Sequence, residues 1–132
     1  MIMENRTILV VEDNELNMKL VRAFLEFGKY QILEAGDAET GIRLAREHQP
    51  GLILMDIQLP GMDGLSATRV IKKDPALMDI PVVAFTGYAM AGDKETATEA
   101  GCAGQITKPI GLADFLHAVA RFLNHDTCNE QC

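Results

Sequence analysis

Three features of the sequence predict an α/β fold built on a five-stranded parallel sheet. Short apolar runs lack polar alternation, amphipathic stretches separate them, and the order run-then-stretch repeats five times. Continuous Ile, Val and Leu runs suit strands covered on both faces. Alternating strands and helices require crossover connections, which are right-handed in parallel sheets.

The first run, Thr7–Val11, reads TILVV and is followed by a helical pattern over 14–27. There Leu20, Val21, Phe24 and Leu25 share a face, Asn14 is a candidate N-cap and Gly28 a candidate stop. Tyr30–Leu33 is the second strand, and Asp37 caps a helix over 37–48. Leu52–Met55 is the third strand, and Asp63 opens a helix over 63–73. Ile80–Phe85 is the fourth, followed by a helix over 89–100 that Gly101 ends. A weaker run, Ala103–Thr107, is the fifth. The last helix, 111–124, has the clearest stripe: Leu112, Phe115, Leu116, Val119, Ala120 and Leu123 step at i, i+3, i+4, i+7, i+8 and i+11. Residues 125–132 leave the pattern, so the expected organisation is one domain over 1–124 and a flexible C-terminal tail.

Composition narrows the function. Twelve Lys and Arg against nineteen Asp and Glu give a net charge of −7, and no basic stripe marks a nucleic-acid surface. The apolar runs are far too short to span a membrane, and an acid interrupts the start before a signal peptide could form. The cysteines number three, with Cys128 and Cys132 close to the end, which is no disulfide framework. A cytoplasmic protein is expected.

Parallel sheets place ligands at the carboxyl ends of their strands. Here those ends carry Glu12-Asp13, Asp56, Thr86 and Lys108-Pro109. Singly, each has a plain structural reading: Asp13-Asn14 as a helix cap, Asp56 and the Pro-Gly and Asp-Gly pairs after it as turn chemistry, Lys108 as a solvated loop. Jointly, strand ends deliver three carboxylates, a hydroxyl and an ammonium to one edge. Carboxylates about 5 Å apart repel by roughly 3 kcal/mol per pair at an effective dielectric of ~20. A compensating cation is therefore required. Lys108 supplies part of it, and an all-oxygen donor set without His or Cys favours Mg²⁺ for the rest. A metal, an amine and a hydroxyl together suit a phosphoryl group. Asp56, between the acid pair and Thr86, is the candidate nucleophile for an aspartyl phosphate.

These residues resemble a known family. Over residues 6–124 the chain is similar to the receiver domain of two-component response regulators, the CheY-like superfamily. The pieces that match are ILVVEDN (8–14), LILMDIQLPGMDG (52–64), PVVAFTGYA (81–89) and Lys108-Pro109-Ile110. The opening EDNELNMKL is most similar to receivers of hybrid kinases and of stand-alone cell-cycle regulators. The resemblance implies a flavodoxin-like sheet of order 2-1-3-4-5 and a regulatory role instead of an enzyme's. Asp56 would accept phosphate from a histidine kinase or histidine phosphotransfer protein. Glu12, Asp13, Asp56 and the backbone carbonyl of Gln58 would bind Mg²⁺, Lys108 would contact the phosphoryl group, and Thr86 would be the switch hydroxyl. Output would pass to a downstream protein through the face made by the fourth and fifth helices and the fifth strand, from a monomer or weak dimer. One departure is Gln105, where receivers usually carry Tyr or Phe; Tyr88 is the candidate substitute for that switch aromatic.

Two rival classes share the topology. A flavodoxin-like cofactor binder needs a Gly-, Ser- and Thr-rich phosphate loop, whereas this first loop is EDNELN. An Asp-nucleophile phosphohydrolase uses a second Asp two residues on, where this chain has Gln58. Gly36 to Gly41 has P-loop glycine spacing but continues Ile42-Arg43 in place of Lys-Ser/Thr. His125, Cys128 and Cys132 lack an evident fourth metal ligand, and Cys102 reads as a packing residue.

Overall fold

In the computed structural model the described residues are 6–56, 59, 61–62, 64–86, 101, 104–107 and 111–123. Five strands pair in parallel: β1 (Thr7–Val11), β2 (Gln31–Ala35), β3 (Leu52–Asp56), β4 (Val82–Thr86) and β5 (Gly104–Thr107), in the order β2-β1-β3-β4-β5. Helices α1 (Glu15–Phe27), α2 (Ala38–His48) and α3 (Gly64–Lys73) connect them, and a C-terminal helix covers Leu112–Leu123. The expected helix over 89–100 and the tail 125–132 lie outside the described residues.

Side chains alternate along each strand, so a parallel sheet needs a core on both faces. One face carries Leu9 and Val11 of β1, Ile53 and Met55 of β3 and Val82 of β4, packed against Ala38, Ile42 and Ala45 of α2 and Ala67 and Ile71 of α3. The other carries Ile8, Val10, Leu52, Leu54, Val83, Phe85 and Ile106, against Met18, Val21 and Leu25 of α1 and Phe115 and Val119 of the C-terminal helix. Phe115 is the hub of that layer, with ring centroids 5.4 Å from Phe24 and 6.2 Å from Phe85. Each such large side chain contributes about 1.5–3 kcal/mol on burial.

Boundaries shift where polar chemistry decides them. Asn14 and Asp37 cap α1 and α2 as expected, accepting the backbone N–H of Asn17 and Thr40 at 3.0 and 2.8 Å. The second strand starts at Gln31, one residue later than its apolar run, because the Tyr30 N–H bonds back to Leu25 O and closes α1. The fourth starts at Val82 because Ile80 N–H turns back to Leu77 O, and Pro81 has no N–H to give. Gly28 ends α1, but not through a left-handed conformation. Its φ is −80°, open to any residue, but a Cβ would stand 2.8 Å from Leu116 Cδ2 and 2.9 Å from Tyr30 Cε2, so those side chains would have to shift. The left-handed residue is Lys29, at φ 65°. Gly41, one of the P-loop-like glycines, lies in α2, where a Cβ would meet Val11 Cγ2 at 2.7 Å. No helix among the described residues is long and apolar enough to cross a membrane.

Candidate metal and phosphoacceptor site

Register brings the acids together. β1 and β3 are neighbours, and Val11 is paired with Met55. The next residues along the two strands, Glu12 and Asp56, therefore face one another at the carboxyl edge, with Asp13 beside them. One carboxylate oxygen of each of Glu12, Asp13 and Asp56 lies within 4.8 Å of the other two. Glu12 and Asp56 are buried, 2% and 5% exposed, whereas Asp13 is open to solvent. Among the described residues this group of acidic side chains is close enough to share one metal ion. Its donors are oxygens only, the set a hard divalent cation prefers.

The surrounding backbone fixes the acids in place. Glu12 N–H donates to Ala35 O at 2.9 Å, tying the start of the first loop to the end of β2. The backbone N–H of Asn14 donates to Glu12 Oε2 at 3.2 Å. Asp56 is the last residue of β3 and pairs with Phe85, so Thr86, the last residue of β4, stands one step further along the same edge. Thr86 pairs in turn with Thr107, which ends β5. Gln105 lies in β5 opposite Ala84. Lys108, Gln58 and Tyr88 lie outside the described residues, as do Cys102, His125, Cys128 and Cys132.

A family model, the response regulator receiver domain, matches residues 8–120. The chain belongs to that family. Among curated proteins this receiver is 44% identical to the polar-differentiation response regulator DivK of Brucella anthropi, over 89% of this chain and 96% of DivK. Among solved structures it is similar to the receiver domain of the sensor histidine kinase PA1611 from Pseudomonas aeruginosa. That match has 32% identity and a TM-score of 0.85, over 91% of this chain and 98% of that one, and the PA1611 domain carries a magnesium ion in its active-site cleft. A receiver domain of a histidine kinase from Syntrophus aciditrophicus matches with 30% identity and a TM-score of 0.82, over 90% of each chain. Fold class, strand order and family expected from the sequence are all borne out.

A second feature of this receiver was not legible in its sequence. Beside Glu12 and Asp13 a cleft of about 420 Å³ opens between α1 and β2, walled by Lys19, Arg22, Glu34 and Gly36. Arg22 grips both carboxylate oxygens of Glu34, with Nη2 at 2.9 Å from Oε1. That hydrogen bond holds the Glu34 carboxyl below its ordinary range and raises the Arg22 guanidinium. Twelve positions separate the two residues, so no local pattern announces the pair.

Proposed function

We propose that the chain is a phosphoacceptor of a two-component relay, taking a phosphoryl group on Asp56 from a histidine kinase or histidine phosphotransfer protein. The observation that carries this reading is the trio Glu12, Asp13 and Asp56, gathered from two strand ends with two members buried. Glu12, Asp13, Asp56 and the Gln58 backbone carbonyl would hold Mg²⁺, which supplies positive charge against the incoming phosphoryl oxygens. An Asp56 carboxylate oxygen attacks phosphorus, the P–N bond of the phosphohistidine breaks, and the imidazole leaves with the electron pair. Lys108 would pair with one phosphoryl oxygen, and the Thr86 hydroxyl would donate to another. The role is regulatory, limited to self-phosphorylation and self-dephosphorylation, and its setting cytoplasmic.

The new charge, about −1.5 to −2, shifts the protein from an off state to an on state. A shift from mostly off to mostly on needs roughly 5.5 kcal/mol of differential binding. The Thr86 hydroxyl supplies about 1.5–3 kcal/mol as a charged hydrogen bond, and Lys108 and a bound downstream protein supply the remainder. That protein would dock through β5 and the C-terminal helix, together with residues 89–100, which lie outside the described residues, from a monomer or weak dimer, with Tyr88 standing in for the aromatic that Gln105 replaces. The test is phosphoryl incorporation from acetyl phosphate with Mg²⁺. Wild type gains one phosphoryl group when Mg²⁺ is present and none when the metal is chelated beforehand, and Asp56→Asn gains none in either case; equal labelling of that variant refutes the assignment.

A further inference from the structure

We propose that Asn14 is a positioning residue for the acidic trio, setting the metal affinity of the site through the first turn of α1; this rests on the metal-binding role given to the trio above. Three of its groups act at once. The side-chain Oδ1 accepts the N–H of Asn17 at 3.0 Å, the backbone C=O accepts the N–H of Met18 at 2.9 Å, and the backbone N–H donates to Glu12 Oε2 at 3.2 Å. The first two bonds hold Asn14 at φ −86°, ψ 118°, the conformation that presents its N–H to Glu12. Farther along α1, Met18, Val21 and Leu25 are buried in the core, so the helix is rigidly placed on the sheet. The cap transfers that rigidity to a carboxylate two residues upstream.

The physical consequence is specific. A cap side chain that cannot accept leaves the N–H groups of the first turn unsatisfied, and the turn frays. Glu12 Oε2 then loses a donor that fixes its orientation. Groups that orient metal ligands from the outer shell typically alter metal affinity by about 10–100-fold when removed. A cap of purely structural importance would lower stability and leave the affinity of the folded protein alone.

Mn²⁺ binding to the purified chain, followed by electron paramagnetic resonance at a temperature where every variant is folded, separates the two roles. Asn14→Ala is expected to bind Mn²⁺ about tenfold more weakly than wild type. Asn14→Ser, which restores a cap acceptor, returns the affinity. Asp37→Ala removes the equivalent cap from α2, where Asp37 Oδ1 accepts Thr40 N–H at 2.8 Å. It lowers the melting temperature like Asn14→Ala, yet binds Mn²⁺ as wild type does. An Asn14→Ala affinity within about threefold of wild type, or the same loss in Asp37→Ala, overturns the proposal. Failure of wild type to bind, or Asp13→Asn binding like wild type, refutes instead the metal site itself.

Discussion

Asp56→Asn should make the metal-free protein more stable, although it disables the proposed chemistry. Asp56 and Glu12 are both buried, with carboxylate oxygens within 4.8 Å. At that separation and an effective dielectric of ~20 their repulsion is about 3.5 kcal/mol. Asparagine has nearly the same volume and keeps an acceptor oxygen, so packing is retained and the charge is lost. An amide oxygen is a weaker hydrogen-bond acceptor than a carboxylate, a difference of about 1–1.5 kcal/mol. The balance is a gain of about 2 kcal/mol in EDTA, or about 6 °C in Tm for a chain of this size. Metal reverses the comparison. At a hundredfold excess over its Kd, a divalent ion stabilises wild type by about 2.7 kcal/mol, and the variant, one ligand short, responds less. Urea unfolding in EDTA and in saturating Mg²⁺, on both proteins, measures all four quantities. An Asp56→Asn variant no more stable than wild type in EDTA would show that the acidic edge is not electrostatically strained, and the argument for a required cation would fall.

The carboxylates away from the site make a second prediction, for pH. Asp37, accepting the Thr40 N–H, Asp74, accepting the Ala76 N–H and Arg46, and Glu34, held by Arg22, are all lowered from their ordinary range. Depressed folded-state values mean that the unfolded chain binds more protons near pH 4. Their stabilisation is thus complete above about pH 5, clear of the unfolded-state values, and is lost as pH falls through the lower folded values. Urea midpoints should drop between pH 5 and pH 3, and Asp74→Asn should flatten that drop; an unchanged slope would contradict it. Phe115→Ala removes the fully buried ring between Phe24 and Phe85, and calorimetry should show a loss of about 3–5 kcal/mol. Gly28→Ala is compatible with the observed φ but drives a methyl into Leu116 and Tyr30. Chemical denaturation should show a cost of about 1–3 kcal/mol, with a cost in the Gly28→Ala/Leu116→Ala double variant below the sum of the two single costs.

Much of this protein could be read from residue order alone. Runs such as the ILVV of Thr7–Val11 and the LILM of Leu52–Met55 declare strands covered on both faces because no polar residue interrupts them. Asn14 and Asp37 declare helix starts because a short acceptor side chain satisfies first-turn N–H groups wherever it stands. The edge that gathers Glu12, Asp13 and Asp56 was equally legible, since in a parallel sheet every strand delivers its last residue to the same side. These are local or period-based rules, and one chain suffices to apply them.

What only the tertiary structure decided depends on which distant residues meet. Gly28 reads as a helix stop, yet what a larger residue would meet there is Leu116, from the far end of the chain, and the Tyr30 ring, which a Cβ would force to shift. Arg22 and Glu34 find each other across the α1–β2 cleft through the placement of α1 against the sheet. The hold of Asn14 on Glu12 needs a cap, a strand end and a rigid helix in a single geometry. Periodicity reports which face of an element is apolar; the partner that face meets is set by packing, and packing is long-range.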